Sequence, residues 1–233
     1  MEKITVKICR YDPEVRDKDR AAEFEVVVAE KSTVLEILMQ IYDTQDSSLA
    51  FSHGCRAKNC GLCAVNVNGR PRYACVSEIT ADAEIAPLSR LPLIRDLVFD
   101  RDPFFNYLSG FRPYIVREKE PETEPEILLQ PPEHPRLMSC LECFACLSAC
   151  PRYDHQDESF GGPLGFVKLA QLHYDVRDSL DRVSQARAMG ILRCADCSGC
   201  TCIAGIPLKQ IVIKPFLELL GKGHNSAKES DND

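Results

Sequence analysis

Twelve of the thirteen cysteines in this 233-residue chain lie between residues 55 and 202, in three groups whose spacing constrains the fold more than any other feature. Cys55, Cys60, Cys63 and Cys75 form a C-x4-C-x2-C run with a fourth cysteine twelve residues on. Cys140, Cys143, Cys146 and Cys150 form C-x2-C-x2-C-x3-C, followed directly by Pro151. Cys194, Cys197, Cys200 and Cys202 complete the series. These spacings match no disulfide framework. The first is the spacing of plant-type [2Fe–2S] ligation and the second that of bacterial [4Fe–4S] ligation. Soft, strongly donating thiolates suit iron and can cap each tetrahedral iron at a cluster's corners. The pattern implies one-electron chemistry.

Composition agrees. A content of 45% hydrophobic and 27% charged residues is ordinary for a globular protein, and the length allows one large or two small domains. Residues 1–7 contain no apolar run of the kind a secretory signal needs, so the thiols are expected to stay reduced and act as ligands. No window approaches 18 consecutive apolar residues, and 203–220 is broken by Pro207, Lys209, Lys214, Pro215 and Glu218. A net charge of −7 without a basic stripe argues against nucleic acid. The expected location is cytoplasmic, with any membrane attachment made through another subunit.

Residues 3–9 alternate apolar and polar as a half-buried strand, and 24–28 read as its partner across a polar turn at 13–20. Ser32 or Thr33 caps a helix whose stripe is Val34, Leu35, Ile37, Leu38 and Ile41. Residues 64–67 read as a strand entering an Asn68-Gly69 turn, with 73–76 starting the return and bringing Cys75 back beside the loop. Helical spacing recurs over 93–108, interrupted at Asp102-Pro103, and over 164–176, 180–192 and 208–220. Residues 117–135 carry five prolines and many charges and read as an irregular connection, and 222–233 as a polar, disordered tail.

In the first cysteine group, Gly54 and Gly61 let backbone approach an inorganic core without a Cβ in the way. Loop amides directed at the sulfurs would stabilise the reduced state. The competing reading is an all-cysteine zinc site, which normally shows separated C-x2-4-C pairs and fits this run poorly. In the second group, three cysteines meet three corners of one cube, and the fourth corner needs a remote ligand from the third group. Cys150 would cross to a further cluster, as fourth cysteines do in two-cluster ferredoxins. Setting Cys9 aside as a small packed thiol leaves twelve cysteines, four for each of three clusters.

Over nearly its full length the chain resembles the iron–sulfur subunit of succinate dehydrogenase and fumarate reductase. The stretches that carry the likeness are Tyr11-Asp12-Pro13, Cys55 to Cys63, Asn68-Gly69 to Cys75, residues 93–114, Cys140 to Pro151, Gly162-Pro163, and Cys194 onward. The resemblance implies an α+β architecture. An N-terminal β-grasp plant-type ferredoxin domain (1–105) would be followed by an all-helical bacterial-ferredoxin-like domain (106–221) with two further clusters. It implies electron passage between FAD in a partner flavoprotein and a quinone at a membrane anchor. Matched by position, Cys55, Cys60, Cys63 and Cys75 would hold [2Fe–2S]; Cys140, Cys143 and Cys146 would hold [4Fe–4S]; Cys150, Cys194 and Cys200 would hold the third cluster.

Three departures from the family pattern matter. Cys197 stands where members with a three-iron centre lack cysteine, so a [4Fe–4S] third cluster is favoured over [3Fe–4S]. The family's second Cys-Pro is missing, and alignment on Gly205 makes Cys202 the remote ligand of the first cube. Cys200 and Cys202 would then serve different clusters from Cα atoms at most about 7 Å apart. Finally, quinone-reactive members carry a tryptophan shortly after the first Cys-Pro, whereas this chain has none and offers Tyr153 and His155 there. No acid–base pair, nucleophile motif or phosphate loop is visible, so no turnover is expected from the chain alone. Two alternatives stand beside this reading. One is the wiring subunit of a related flavoprotein reductase acting on another unsaturated acid or thioester, with a non-quinone partner. The other is a zinc-stapled interaction module.

Overall fold

Alternation along the first strand drives the architecture. In β1 (Glu2–Cys9), Ile4, Val6 and Ile8 are buried, with solvent-facing residues between them. β2 (Ala21–Val28) buries Phe24, Val26 and Val28 in the same rhythm and pairs antiparallel with β1, Glu2 opposite Val28. α1 (Val34–Thr44) packs its apolar stripe against β2. Thr33 starts it with a full capping box: its Oγ1 accepts from the Glu36 amide, and the Glu36 carboxylate accepts from the Thr33 amide. Each large aliphatic buried this way contributes about 1.5–3 kcal/mol. The computed structural model describes residues 2–15, 20–117, 129–197 and 199–229.

β3 (Ala64–Val67) and β4 (Arg70–Tyr73) form a hairpin over the two-residue turn Asn68-Gly69, both at positive φ. The return strand therefore ends at Tyr73 rather than starting there, and Cys75 lies in the turn beyond. β5 (Ala83–Ala86), a strand that periodicity does not announce, runs parallel to β1 and antiparallel to β3, completing the sheet order β2-β1-β5-β3-β4. β6 (Leu93–Arg95) and β7 (Val98–Phe99) make a separate two-stranded ribbon where the spacing predicts a helix. Asp96 explains that correction. At φ 44° it turns the chain, and its buried carboxylate accepts from Arg10 Nε (2.8 Å) and from the amides of Tyr11 (3.1 Å) and Ala50 (2.9 Å).

The helices follow in chain order. α2 (Asp102–Ser109) places Pro103 in its first turn, where a missing N–H costs nothing. α3 (Glu133–Met138) precedes the second cysteine run, and α4 (Ala145–Ser148) is a single turn inside it. α5 (Gly162–His173) is buried on most sides, and α6 (Arg182–Ala188) ends before Gly190 at φ 81° and a 3-10 turn, Ile191–Cys194. The helical reading of 180–192 is thus split by that glycine. A π-helical segment, Lys209–Ile213, leads into α7 (Lys214–Glu229), whose second residue is Pro215. Proline in a continuing helix removes an N–H and crowds the preceding turn, and the widened π turn accommodates it. Residues 222–229, expected as tail, continue this helix; 230–233 lie outside the described residues, as do most of the proline-rich connection (118–128) and most of the 13–20 turn (16–19).

The chain divides into two units, with a break at Asp102/Pro103 and with Leu141–Pro151 belonging to the first unit. The physical reason is a set of close approaches by that segment. The Ser148 hydroxyl accepts from the Ser89 amide (2.9 Å), and the Phe99 and Phe144 rings meet at a tilt of 52° with centroids 5.4 Å apart. The second unit is clamped internally by Arg182, which is fully buried. Its guanidinium pairs with both Asp178 oxygens (2.7 and 2.9 Å) and donates to the carbonyls of Phe111, Arg112 and Tyr114.

Candidate iron–sulfur centres

The loop joining α1 to β3 directs its backbone amides at sulfur. Ala57 N and Asn59 N donate to Cys55 Sγ at 3.4 and 3.1 Å, Cys55 N donates to Cys60 Sγ at 3.4 Å, and Lys58 N donates to Cys75 Sγ at 3.4 Å. Positive φ at Arg56 (57°), Lys58 (54°) and Gly61 (70°) bends the chain so that those amides face inward. Cys75 is brought to the loop by α1: the Val34 and Leu35 amides donate to the carbonyls of Ser77 and Ala74, and the Ala74 amide donates to the Cys63 carbonyl. All four thiols of the first group thus belong to one loop-and-turn assembly.

Its electrostatics suit a cationic guest. The amides of Ala57 and Asn59 hold the Cys55 thiol down to about 7. Burial pushes the Cys63 thiol up to about 11, and the neighbouring Cys75 and Cys60 sulfurs add to the effect. A buried thiol such as Cys63, with other sulfurs beside it, gives up its proton readily when a cation takes the charge. Gly61 is the tight point: a Cβ there would run into the Leu141 carbonyl and approach Cys143 Cβ within 3.1 Å. Among the described residues no three His, Cys, Asp or Glu side chains close on a single ion position. Three sulfurs fed by amide donors, with Cys63 buried beside them, have the donor chemistry of a multi-iron core held at its corners.

The remaining eight cysteines are divided between the units. Cys143, Cys146 and Cys150 lie on the 141–151 segment of the first; Cys140, Cys194, Cys197, Cys200 and Cys202 lie in the second. All thirteen cysteines are free thiols. Positive φ at Glu142 (49°) and Phe144 (63°) flanks Cys143, and the Tyr73 hydroxyl lies 3.4 Å from its Sγ, placed to donate. Cys194 is buried at the end of the 3-10 turn. Cys197 Sγ donates to the Gly199 carbonyl (3.6 Å), and Lys209 Nζ caps the Cys197 carbonyl (3.0 Å). Cys9 is half-buried, its Sγ 3.9 Å from Glu84 Oε1, and no ligand role attaches to it.

Tyr153 and His155 share one cleft of about 450 Å³ in the second unit. Its walls include Phe104, Tyr107 and Phe160, and three carboxylates line it as well: Asp154, Asp157 and Glu158. Tyr153 is buried, and His155 Nδ1 lies 3.5 Å from Asp154 Oδ1. The buried Tyr107 hydroxyl has no hydrogen-bond partner among the described residues. Burial, with Asp157 and Glu158 adding to it, pushes the Tyr107 phenol above its ordinary range. Sequence reasoning missed Tyr73, the last residue of β4, whose hydroxyl reaches Cys143 seventy residues on.

Residues 5–106 match the model of a 2Fe-2S iron-sulfur cluster binding domain. An uncharacterized iron–sulfur protein of Methanocaldococcus jannaschii is 37% identical over 86% of this chain and 39% of its own length. One of the subunits of a fumarate reductase (CoM/CoB) from Methanothermobacter marburgensis is 31% identical over 84% of this chain and 40% of its own length. The chain therefore spans about two fifths of these two relatives. The fumarate reductase iron–sulfur subunit of Mycobacterium tuberculosis is 31% identical over 76% of this chain and 75% of its own length. A chain of the Mycobacterium smegmatis Sdh1 complex in the apo form shares the fold, with a TM-score of 0.83, 24% identity, and coverage of 94% of this chain and 96% of that one. Matched over three quarters of the length of a curated relative, the chain belongs to the family of iron–sulfur subunits of fumarate reductases and succinate dehydrogenases.

Proposed function

We propose that this chain is an electron-relay subunit, passing single electrons through three iron–sulfur clusters between an FAD-containing partner and a terminal redox partner. The observation that carries the reading is the first loop, where four backbone amides donate to three of the thiols, Cys55, Cys60 and Cys75, at 3.1–3.4 Å. Such clusters take up and release one electron at a time, and hydrogen bonds to sulfur help set the potential. The chain's own part is to hold the sulfurs, neutralise the added charge with fixed dipoles, and exclude water from Cys63 and Cys75.

The ligand sets are proposed as the sequence assigns them. Cys55, Cys60, Cys63 and Cys75 hold [2Fe–2S] in a β-grasp, plant-type ferredoxin domain. Cys140, Cys143, Cys146 and Cys202 hold [4Fe–4S]. Cys150, Cys194, Cys197 and Cys200 hold the third cluster, a cube with Cys197 at the corner a three-iron centre lacks. An EPR spectrum of the oxidised protein tests that corner, since an intense three-iron signal contradicts Cys197 as a ligand.

The carbon chemistry, succinate–fumarate interconversion at FAD, belongs to the partner. Anaerobic isolation of the tagged chain with its partners tests this. The complex should contain flavin and turn over the dicarboxylate, and the chain alone should not; turnover by the chain alone contradicts it. Among the described residues no helix is long and apolar enough to cross a membrane, so attachment at the cytoplasmic face would run through a partner.

A second reading concerns the terminus. The sequence has no tryptophan, and the cleft holding Tyr153 and His155 sets three carboxylates among its aromatic walls, negative charge that a quinone ring does not need. A relative bears the name fumarate reductase (CoM/CoB). Together these favour a soluble or thiol-linked terminal partner over a quinone. Reduction of a quinone analogue by the intact complex, at rates matching dicarboxylate turnover, would restore the quinone.

A further inference from the structure

Arg101 is a half-buried cation in the first unit, two residues beyond β7. Its guanidinium carbon lies 5.1 Å from the centroid of Phe99 and 5.3 Å from that of Phe144. Nη1 donates to the Glu142 carbonyl at 3.3 Å. Two aromatic faces and a backbone acceptor thus fix a group that would otherwise move freely. Phe144 follows Cys143 directly and sits at φ 63°, so the same backbone turn that presents Cys143 also presents the ring. Gly61, the residue after Cys60, lies against Leu141 and Cys143, bringing the first cysteine loop up to the second cysteine run.

We infer that the Arg101 guanidinium is one fixed positive charge serving two iron–sulfur centres, those ligated by Cys60 and by Cys143, and that it stabilises the reduced state of both. The inference rests on the cluster assignments proposed above. Burial alone lowers the Arg101 pKa, while the anions that oppose this are Cys143 first, then Cys60, then Glu142. Guanidinium stays charged at any working pH, so its influence is permanent. Each centre gains a negative charge on reduction, and a cation held nearby out of bulk water favours that state. A single residue would in this way keep the potentials of two successive carriers in step.

The test is a potentiometric EPR titration of the full chain in its native complex, comparing the unsubstituted protein with Arg101→Met and Arg101→Lys. The unsubstituted protein is measured first: absence of two reducible centres defeats the cluster assignment, not this inference. With both present, Arg101→Met should disfavour reduction about tenfold at each centre, equivalent to about 59 mV for a one-electron couple. Arg101→Lys keeps the charge and should leave both potentials close to those of the unsubstituted protein. Unchanged potentials in Arg101→Met, or movement of one centre only, overturns the inference. Equal shifts in the Met and Lys variants assign the effect to packing and also overturn it. If Arg101→Met loses a centre, Arg101→Lys decides: native potentials support the shared charge, and shifted ones contradict it.

Discussion

Gly61 occupies a point where backbone conformation and space both exclude a side chain. Its φ is +70°, and a Cβ would press into the Leu141 carbonyl beside Cys143. A left-handed conformation costs an L-residue about 1–2 kcal/mol before any clash. Gly61→Ala should therefore lower stability by about 2–4 kcal/mol and deplete the first centre, read by anaerobic thermal unfolding and EPR intensity. An unchanged melting temperature would contradict this. Asp46 makes a second, electrostatic prediction. Ser48 and Arg10 hold its carboxyl at about 2, below the ordinary 3.8. A depressed carboxylate pKa contributes stability that is present above the unfolded value and lost as pH falls through the folded one. Asp46→Asn should thus lower the melting temperature near neutrality, and the gap to the native chain should narrow from about pH 4 toward pH 2. A gap independent of pH would show that Arg10 gains nothing from that charge.

Single elements differ in how much of them can be read from sequence. β1, β2 and α1 are legible because each obeys one period and one apolar face, and Thr33 with Glu36 supplies a start signal. Removing that signal has a predictable cost: Thr33→Ala should destabilise by about 1 kcal/mol, measured as a shifted unfolding midpoint. It should also loosen Cys75, since α1's first amides hold residues 74–77. No change in midpoint would mean that packing on β2 alone holds the helix. The β6–β7 ribbon is illegible because its turn depends on Asp96 meeting Arg10 and Ala50, partners 86 and 46 residues away. The first cysteine group stands out in the sequence because its four thiols span a short stretch with a recognised spacing, and the structure brings them into one loop-and-turn assembly. Tyr73 and Arg101 do not, because their relation to Cys143 exists only after Leu141–Pro151 joins the first unit.

For the whole molecule, the two cysteine-rich units account for the unusual composition of the sequence: thirteen cysteines, all free thiols, twelve of them clustered. The first unit brings a sheet, one helix and a returning segment of chain to the same loop, so that three of the later thiols share a body with the first four. The second unit contains the other five, along with the buried Arg182–Asp178 ion pair and α5, which is buried on most sides. A single measurement bears on all of this. Anaerobically purified protein should contain iron and acid-labile sulfide in near-equal amounts, absorb in the visible, and bleach with dithionite to give both [2Fe–2S] and [4Fe–4S] EPR signals. A colourless protein that carries zinc and does not respond to dithionite would contradict the account.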